Sequence, residues 1–120
     1  MLTLPPSTRV FVATSHTDMR RSFDGLMGLV RDFLGGDPLS GHLFVFRNRS
    51  GDRLKVLWWD RDGLAIFYKR LEEGTFSFPS PSGGMPQLEM TAADLQLVLQ
   101  GIDPTKVKRS KRYQRPAPTA

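Results

Sequence analysis

Residues 42–71 read HLFVFRNRSGDRLKVLWWDRDGLAIFYKRL, and this stretch decides the fold. Three runs within it, His42 to Arg47, Leu54 to Trp59 and Leu64 to Leu71, are rich in aromatic and β-branched residues. Such side chains suit a pleated, half-buried surface. The link Asn48 to Asp52 is polar and contains a glycine, and the link Asp60 to Gly63 (DRDG) is tighter still. Both are short enough for hairpins, so the stretch reads as an antiparallel meander of three strands. Within the strands both alternating sets are apolar: Phe44, Phe46, Leu57 and Trp59 as much as Leu43, Val45, Val56 and Trp58. A sheet apolar on both faces needs a cover on each. Two helices on one side would leave the other face for a partner or a second copy.

Outward from the meander the signals stay clear. Arg9 to Ala13 (RVFVA) reads as a short strand. Met19, Phe23, Leu26, Met27, Val30, Phe33 and Leu34 then recur at the spacing of one helix face, with Thr17 or Asp18 as the cap and Gly35-Gly36 as the stop. Gly25 and Gly28 inside that helix suggest close packing against the sheet. On the far side, Glu73-Gly74 turns the chain, Thr75 to Phe78 is a candidate fourth strand, and Pro79 to Pro86 is a loop. Thr91 to Gly101 reads as a second helix, with Thr91 and Asp94 in a capping-box arrangement. The order β-α-β-β-β-(β)-α predicts an α+β domain: an antiparallel meander sheet with two helices packed on it.

The 120 residues make one domain, residues 1–103, followed by a basic tail, residues 104–120. With 39% hydrophobic residues the chain can form a core, and with no cysteine it has no disulfide, thiolate metal site or cysteine nucleophile. No apolar run approaches the roughly 20 residues of a membrane span, and Met1 to Pro6 lacks the features of a signal peptide. A soluble, cytoplasmic protein without membrane contact is expected. The net charge of +5 sits in the tail. Residues 1–103 hold 11 Lys and Arg against 12 Asp and Glu, whereas residues 104–120 hold Lys106, Lys108, Arg109, Lys111, Arg112 and Arg115 and no acid. Too polar to form a core, that tail is expected to be mobile when free, and a basic arm beside a near-neutral domain is a footprint of nucleic-acid binding. A solubilising tail is the plainer alternative.

The segments HTDMRRSFDGL (His16 to Leu26), Asp37 to Pro79 and LQLVLQGID (Leu95 to Asp103) together resemble one known family. It is the small TnpB accessory protein of insertion-sequence-sixty-six-type bacterial transposons, which is unrelated to the RNA-guided nucleases that share the short name. The resemblance covers residues 5–103. It implies an accessory role in transposition beside two companions of the same element: a second small accessory protein and a large transposase that carries the acidic catalytic residues.

Four constellations carry the candidate chemistry. Arg47, Arg49, Arg53 and Lys55 flank the first hairpin loop, where a two-stranded ribbon can enter a DNA groove and each spacing of two allows a shared face. Trp58 and Trp59 point to opposite faces, so one enters the core and the other is a candidate partner-binding residue. Asp60 and Asp62, with Glu72 and Glu73 beyond, raise the question of a metal site. The DRDG pattern, however, fits a turn chosen for backbone reasons. The run His16 to Arg21 with Asp24 offers Arg20 and Arg21 as phosphate contacts, with Arg20 and Asp24 spaced as an ion pair. No catalytic residue, metal ligand or cofactor motif emerges, so an enzyme is not expected. The expected function is an accessory protein for transposition that binds element DNA at the transposon ends, the transposase, or both. The alternative is a pure protein-interaction module docking the transposase through an apolar sheet face.

Overall fold

The alternating apolar runs become strands and the helical stripes become their covers. In the computed structural model, which describes residues 5–79, 83–104 and 108–109, the chain runs through β1 (Arg9–Ala13), α1 (Phe23–Leu29), a π-helical turn Val30–Leu34 and β2 (Leu43–Arg47). It continues through β3 (Arg53–Asp60), β4 (Gly63–Arg70), β5 (Gln87–Thr91) and α2 (Ala92–Leu99) to a two-residue pair, β6 (Ile102–Asp103) and β7 (Lys108–Arg109). The five-stranded sheet has the order β4-β3-β2-β1-β5. Its β2-β3-β4 part is the expected antiparallel meander, in register from Arg47 opposite Leu54 to Asp60 opposite Gly63.

The sheet as a whole is mixed, which corrects the purely antiparallel expectation. β1 lies parallel to β2, Val10 beside Leu43 and Val12 beside Val45. The long connection through α1 permits this, since parallel neighbours need a crossover, usually a helix. The outer strand beyond β1 is Gln87–Thr91, antiparallel to it, rather than Thr75–Phe78. Thr75–Phe78 has no ladder: Phe76 is buried, and its N–H donates to the Gly51 carbonyl at 2.9 Å.

The helices cover opposite faces, not one. On one side Leu95 and Val98 of α2 meet Val10, Val12, Leu43, Val45, Leu54, Val56 and Met90. On the other, Leu26, Val30 and Leu34 meet Ala13, Phe44, Phe46 and Leu57. Trp58 packs against the first cluster, and Trp59 is half-buried, so neither Trp is freely exposed.

The first helix starts later than its apolar stripe. Its N-cap is Ser22, without a side-chain cap bond. Asp18 instead closes a turn, accepting from the Arg20 N–H at 2.9 Å, while its carbonyl accepts from the Arg21 N–H at 3.1 Å. An Asp side chain that bonds the backbone two residues on gives the chain an alternative to helix. The helix ends in a wide π turn, closed by Gly36 N–H to Val30 O at 3.0 Å, with Gly35 in the left-handed region at φ 65°. That turn leaves Phe33 69% exposed. Close packing falls at Gly36, where a Cβ would lie 2.9 Å from Phe44 Cε1, and not at Gly28, which has nothing within 4 Å. The capping box of α2 is present, with Asp94 N–H donating to Thr91 Oγ1 at 3.1 Å.

No described helix is long and apolar enough to cross a membrane. The tail cations Lys106, Lys111, Arg112 and Arg115 lie outside the described residues, as does the expected mobility of the tail. Of Lys108 and Arg109 only the backbone pairing with β6 is described.

Candidate functional site

Between β1 and α1 the chain passes the β2-β3 hairpin, and the two segments form the walls of an open cleft of about 530 Å³. One wall is His16–Arg20, the other Asn48, Arg49, Ser50 and Arg53, and Tyr68 of β4 completes the lining. Backbone bonds lock the walls together: Thr17 N–H donates to the Arg47 carbonyl at 2.9 Å, and Thr17 is buried.

Asn48 builds the hairpin wall. Its amide nitrogen donates to Asp52 Oδ1 at 2.8 Å, and its side-chain oxygen accepts from the Arg53 N–H at 3.1 Å. The bond from Asn48, with lesser contributions from Ser50 and Arg53, holds the Asp52 carboxyl below the ordinary Asp value. The loop is also fixed from behind, by Leu71 N–H to Asp52 O at 2.7 Å and Phe76 N–H to Gly51 O. Side chains on this loop therefore have a defined origin, as a binding site requires.

The structure divides the four hairpin cations. Arg47 opposes Leu54, and directly opposed residues share a face, so Arg47 lies on the α2 side. There it is half-buried over the Phe78 ring at 5.3 Å, its Nε lacks a partner among the described residues, and burial lowers its pKa from the ordinary Arg value. Arg53 and Lys55 point to the other face, beside Arg70 and Tyr68. Lys55 is only 7% exposed; its ammonium donates to the Arg21 carbonyl at 2.7 Å and sits 4.7 Å from the Tyr68 ring centroid. It ties the segment before α1 to the sheet. Arg49 and Arg53 remain on the cleft, Arg49 exposed, and neither forms an ion pair among the described residues.

On the opposite wall, Arg20 pairs with Asp18 at 2.7 Å rather than with Asp24. The side-chain hydrogen bonds from Arg20, then its backbone N–H, lower the Asp18 pKa to about 2. The carboxylate of the cleft is thus engaged, and the balance of the lining is cationic. Arg21 lines an adjoining pocket of about 290 Å³ with Leu29, Phe33 and Phe46. Asp60 and Asp62 lie in the exposed β3-β4 turn, where Asp62 N–H donates to the Asp60 carbonyl at 2.6 Å and Arg61 has φ 59°. Glu72 pairs with Arg70 at 3.1 Å. Among the described residues no three His, Asp or Glu side chains are grouped to hold a metal ion.

Sequence reasoning missed Tyr68, Asn48 and Arg70. The signal for Tyr68 was its place two residues past Ile66 on a strand followed by Lys69 and Arg70, a ring set among cations. For Asn48 it was the Asn48-to-Asp52 spacing around a glycine, typical of a side-chain-organised loop.

A family model described as IS66 Orf2 like protein matches residues 8–109. Two proteins of Sinorhizobium fredii (strain NBRC 101917 / NGR234) are similar over most of their length. "Uncharacterized protein y4hO" is 47% identical over 103 residues, covering 86% of this chain and 88% of its own. "Uncharacterized protein y4jC" is 41% identical over 112 residues, covering 93% of each. No solved structure matches the chain. With the match spanning both helices, the whole sheet and both walls of the cleft, this chain belongs to the IS66 Orf2-like family, whose members are accessory components of insertion-sequence transposition.

Proposed function

We propose that the chain supports transposition as a non-enzymatic, DNA-binding component that works in the cytoplasm without cofactor or metal. It holds the ends of the element through their phosphates and meets the transposase and the second accessory protein on that DNA. One observation carries this reading. Arg49 and Arg53 are free of ion pairs among the described residues and converge with Arg20 and His16 on one open cleft, whose carboxylate Asp18 is already engaged by Arg20. Guanidinium forks on a rigid loop suit phosphate oxygens, and such contacts position a protein on DNA without reading sequence. The six cations of residues 104–120 add further phosphate contacts. The protein-interaction alternative needs a bare apolar sheet face, whereas each face carries a buried cluster.

The test is a titration of the full chain with a duplex carrying an element end, repeated across salt concentrations. Each neutralised phosphate contributes about 0.9 to the slope of log K against log salt. Replacing Arg49 and Arg53 together with Ala should lower that slope by about 1.8 if each meets one phosphate. No duplex binding at low salt, or an unchanged slope in the double variant, overturns the proposal.

A further inference from the structure

We infer that the cleft receives single-stranded DNA, with one base stacked on Tyr68 and the neighbouring phosphates on Arg49 and Arg53. This rests on the DNA-binding reading above and goes further, because it names the state of the DNA.

The cleft does not end at Tyr68. A second open pocket of about 420 Å³, lined by Arg53, Tyr68, Arg70 and Glu72, shares Arg53 and Tyr68 with the first. Both are therefore lined by the Tyr68 ring and the Arg53 guanidinium, while Arg70, directly opposite Arg53 in the β3-β4 register, is held by Glu72 at 3.1 Å. Tyr68 is 48% exposed and sits on β4, an edge strand of the sheet, paired only to β3 among the described residues. Its ring is fixed at two points. The Lys55 ammonium lies 4.7 Å from the centroid, and Arg53 Nη1 donates to the hydroxyl at 3.4 Å. Lys55 is in turn anchored on the Arg21 carbonyl, so the ring is positioned by the same bond that joins the cleft wall to the sheet.

A positioned ring inside a basic groove is the arrangement that holds unpaired nucleotides. Stacking on an aromatic side chain suits any base, and the groove follows the backbone. A duplex keeps its base faces stacked internally and offers the groove only phosphates. The arginines therefore serve both forms of DNA, whereas the ring serves only the unpaired one. Unpaired stretches arise where strands are cut or frayed, as at the ends of an element being moved.

The experiment uses the full chain with fluorescently labelled oligothymidylate and a duplex of equal length, read by anisotropy. Tyr68→Ala and Tyr68→Leu should weaken single-strand binding about fivefold to a hundredfold, the range for losing one stacked base. Tyr68→Phe should retain it, and in the alanine and leucine variants duplex binding should fall by less than single-strand binding does. Circular dichroism checks the fold; the leucine variant keeps an apolar side chain on the strand should the alanine variant unfold. If folded Tyr68→Leu binds oligothymidylate as the wild type does, or Tyr68→Phe loses as much as leucine, this inference fails while the DNA-binding reading stands. If the wild type binds neither probe at low salt, both fail.

Discussion

Lys55→Met separates the structural role of this lysine from a role at the DNA surface. Methionine keeps the length of the buried stem and removes the ammonium. The variant loses the 2.7 Å hydrogen bond to the Arg21 carbonyl and the cation over the Tyr68 ring. A hydrogen bond involving a charged group contributes about 1.5–3 kcal/mol, and a cation over an aromatic ring about 0.5–1 kcal/mol where partly exposed. Relief from desolvating the ammonium offsets part of this. A net loss of about 2 kcal/mol is expected, which for a domain of about 100 residues lowers the melting midpoint by roughly 8–16 °C. Thermal and denaturant unfolding give the value directly. At temperatures where the variant is folded, the salt slope of DNA binding should match the wild type. A surface lysine would behave in the opposite way: stability within about 0.5 kcal/mol of the wild type, and a slope lower by about 0.9. That second pattern would refute the argument that Lys55 is a tether.

Other perturbations follow from the same geometry. Asp18→Asn releases Arg20 and adds one positive charge to the cleft, so DNA affinity should rise and the salt slope should increase by up to about 0.9 in the same titration. Asp18, Asp52 and Glu89 all have carboxyl pKa values held below the ordinary value in the folded chain, Asp18 at about 2 through its bonds from Arg20. Each binds its proton less readily folded than unfolded, so the stability it contributes is present above the ordinary carboxyl range and lost as pH falls through it. The melting midpoint should therefore fall below about pH 4.5, with the Asp18 share lost between about pH 4 and 2, and Asp18→Asn should flatten that last step. Asp60→Asn and Asp62→Asn should leave transposition support intact, because the carboxylates sit in an exposed turn where asparagine makes similar local bonds. A folded Asp60→Asn chain that abolishes transposition would instead argue for carboxylate chemistry.

The meander was legible because its hairpins are short and its strands alternate cleanly. The second helix was legible because Thr91 and Asp94 form a capping box in both sequence and structure. β5 was hidden in QLEMT, a brief strand at the sheet edge whose period shows only in Leu88 and Met90. The parallel β1-β2 pairing is long-range, and nothing local to either strand encodes it. The start of α1 was misplaced because Asp18 suits an N-cap and a side-chain-closed turn equally well, and contact with the hairpin decides between them. At the candidate site, spacing of two placed Arg47 with Arg49, yet Arg47 is the last residue of β2 and the period ends there. Lys55 read as a surface charge. Its alternation with Leu57 on a strand whose opposed neighbours are Phe46 and Tyr68 is what buries it, and that depends on register.

The claim that the cationic cleft is the working surface in transposition is tested most directly in an element whose copy of this chain has been deleted. The wild-type chain supplied in trans should restore transposition, whereas Arg49→Ala/Arg53→Ala, with a melting midpoint matching the wild type, should leave its frequency near that of the deletion. Full restoration by the folded double variant would contradict the account.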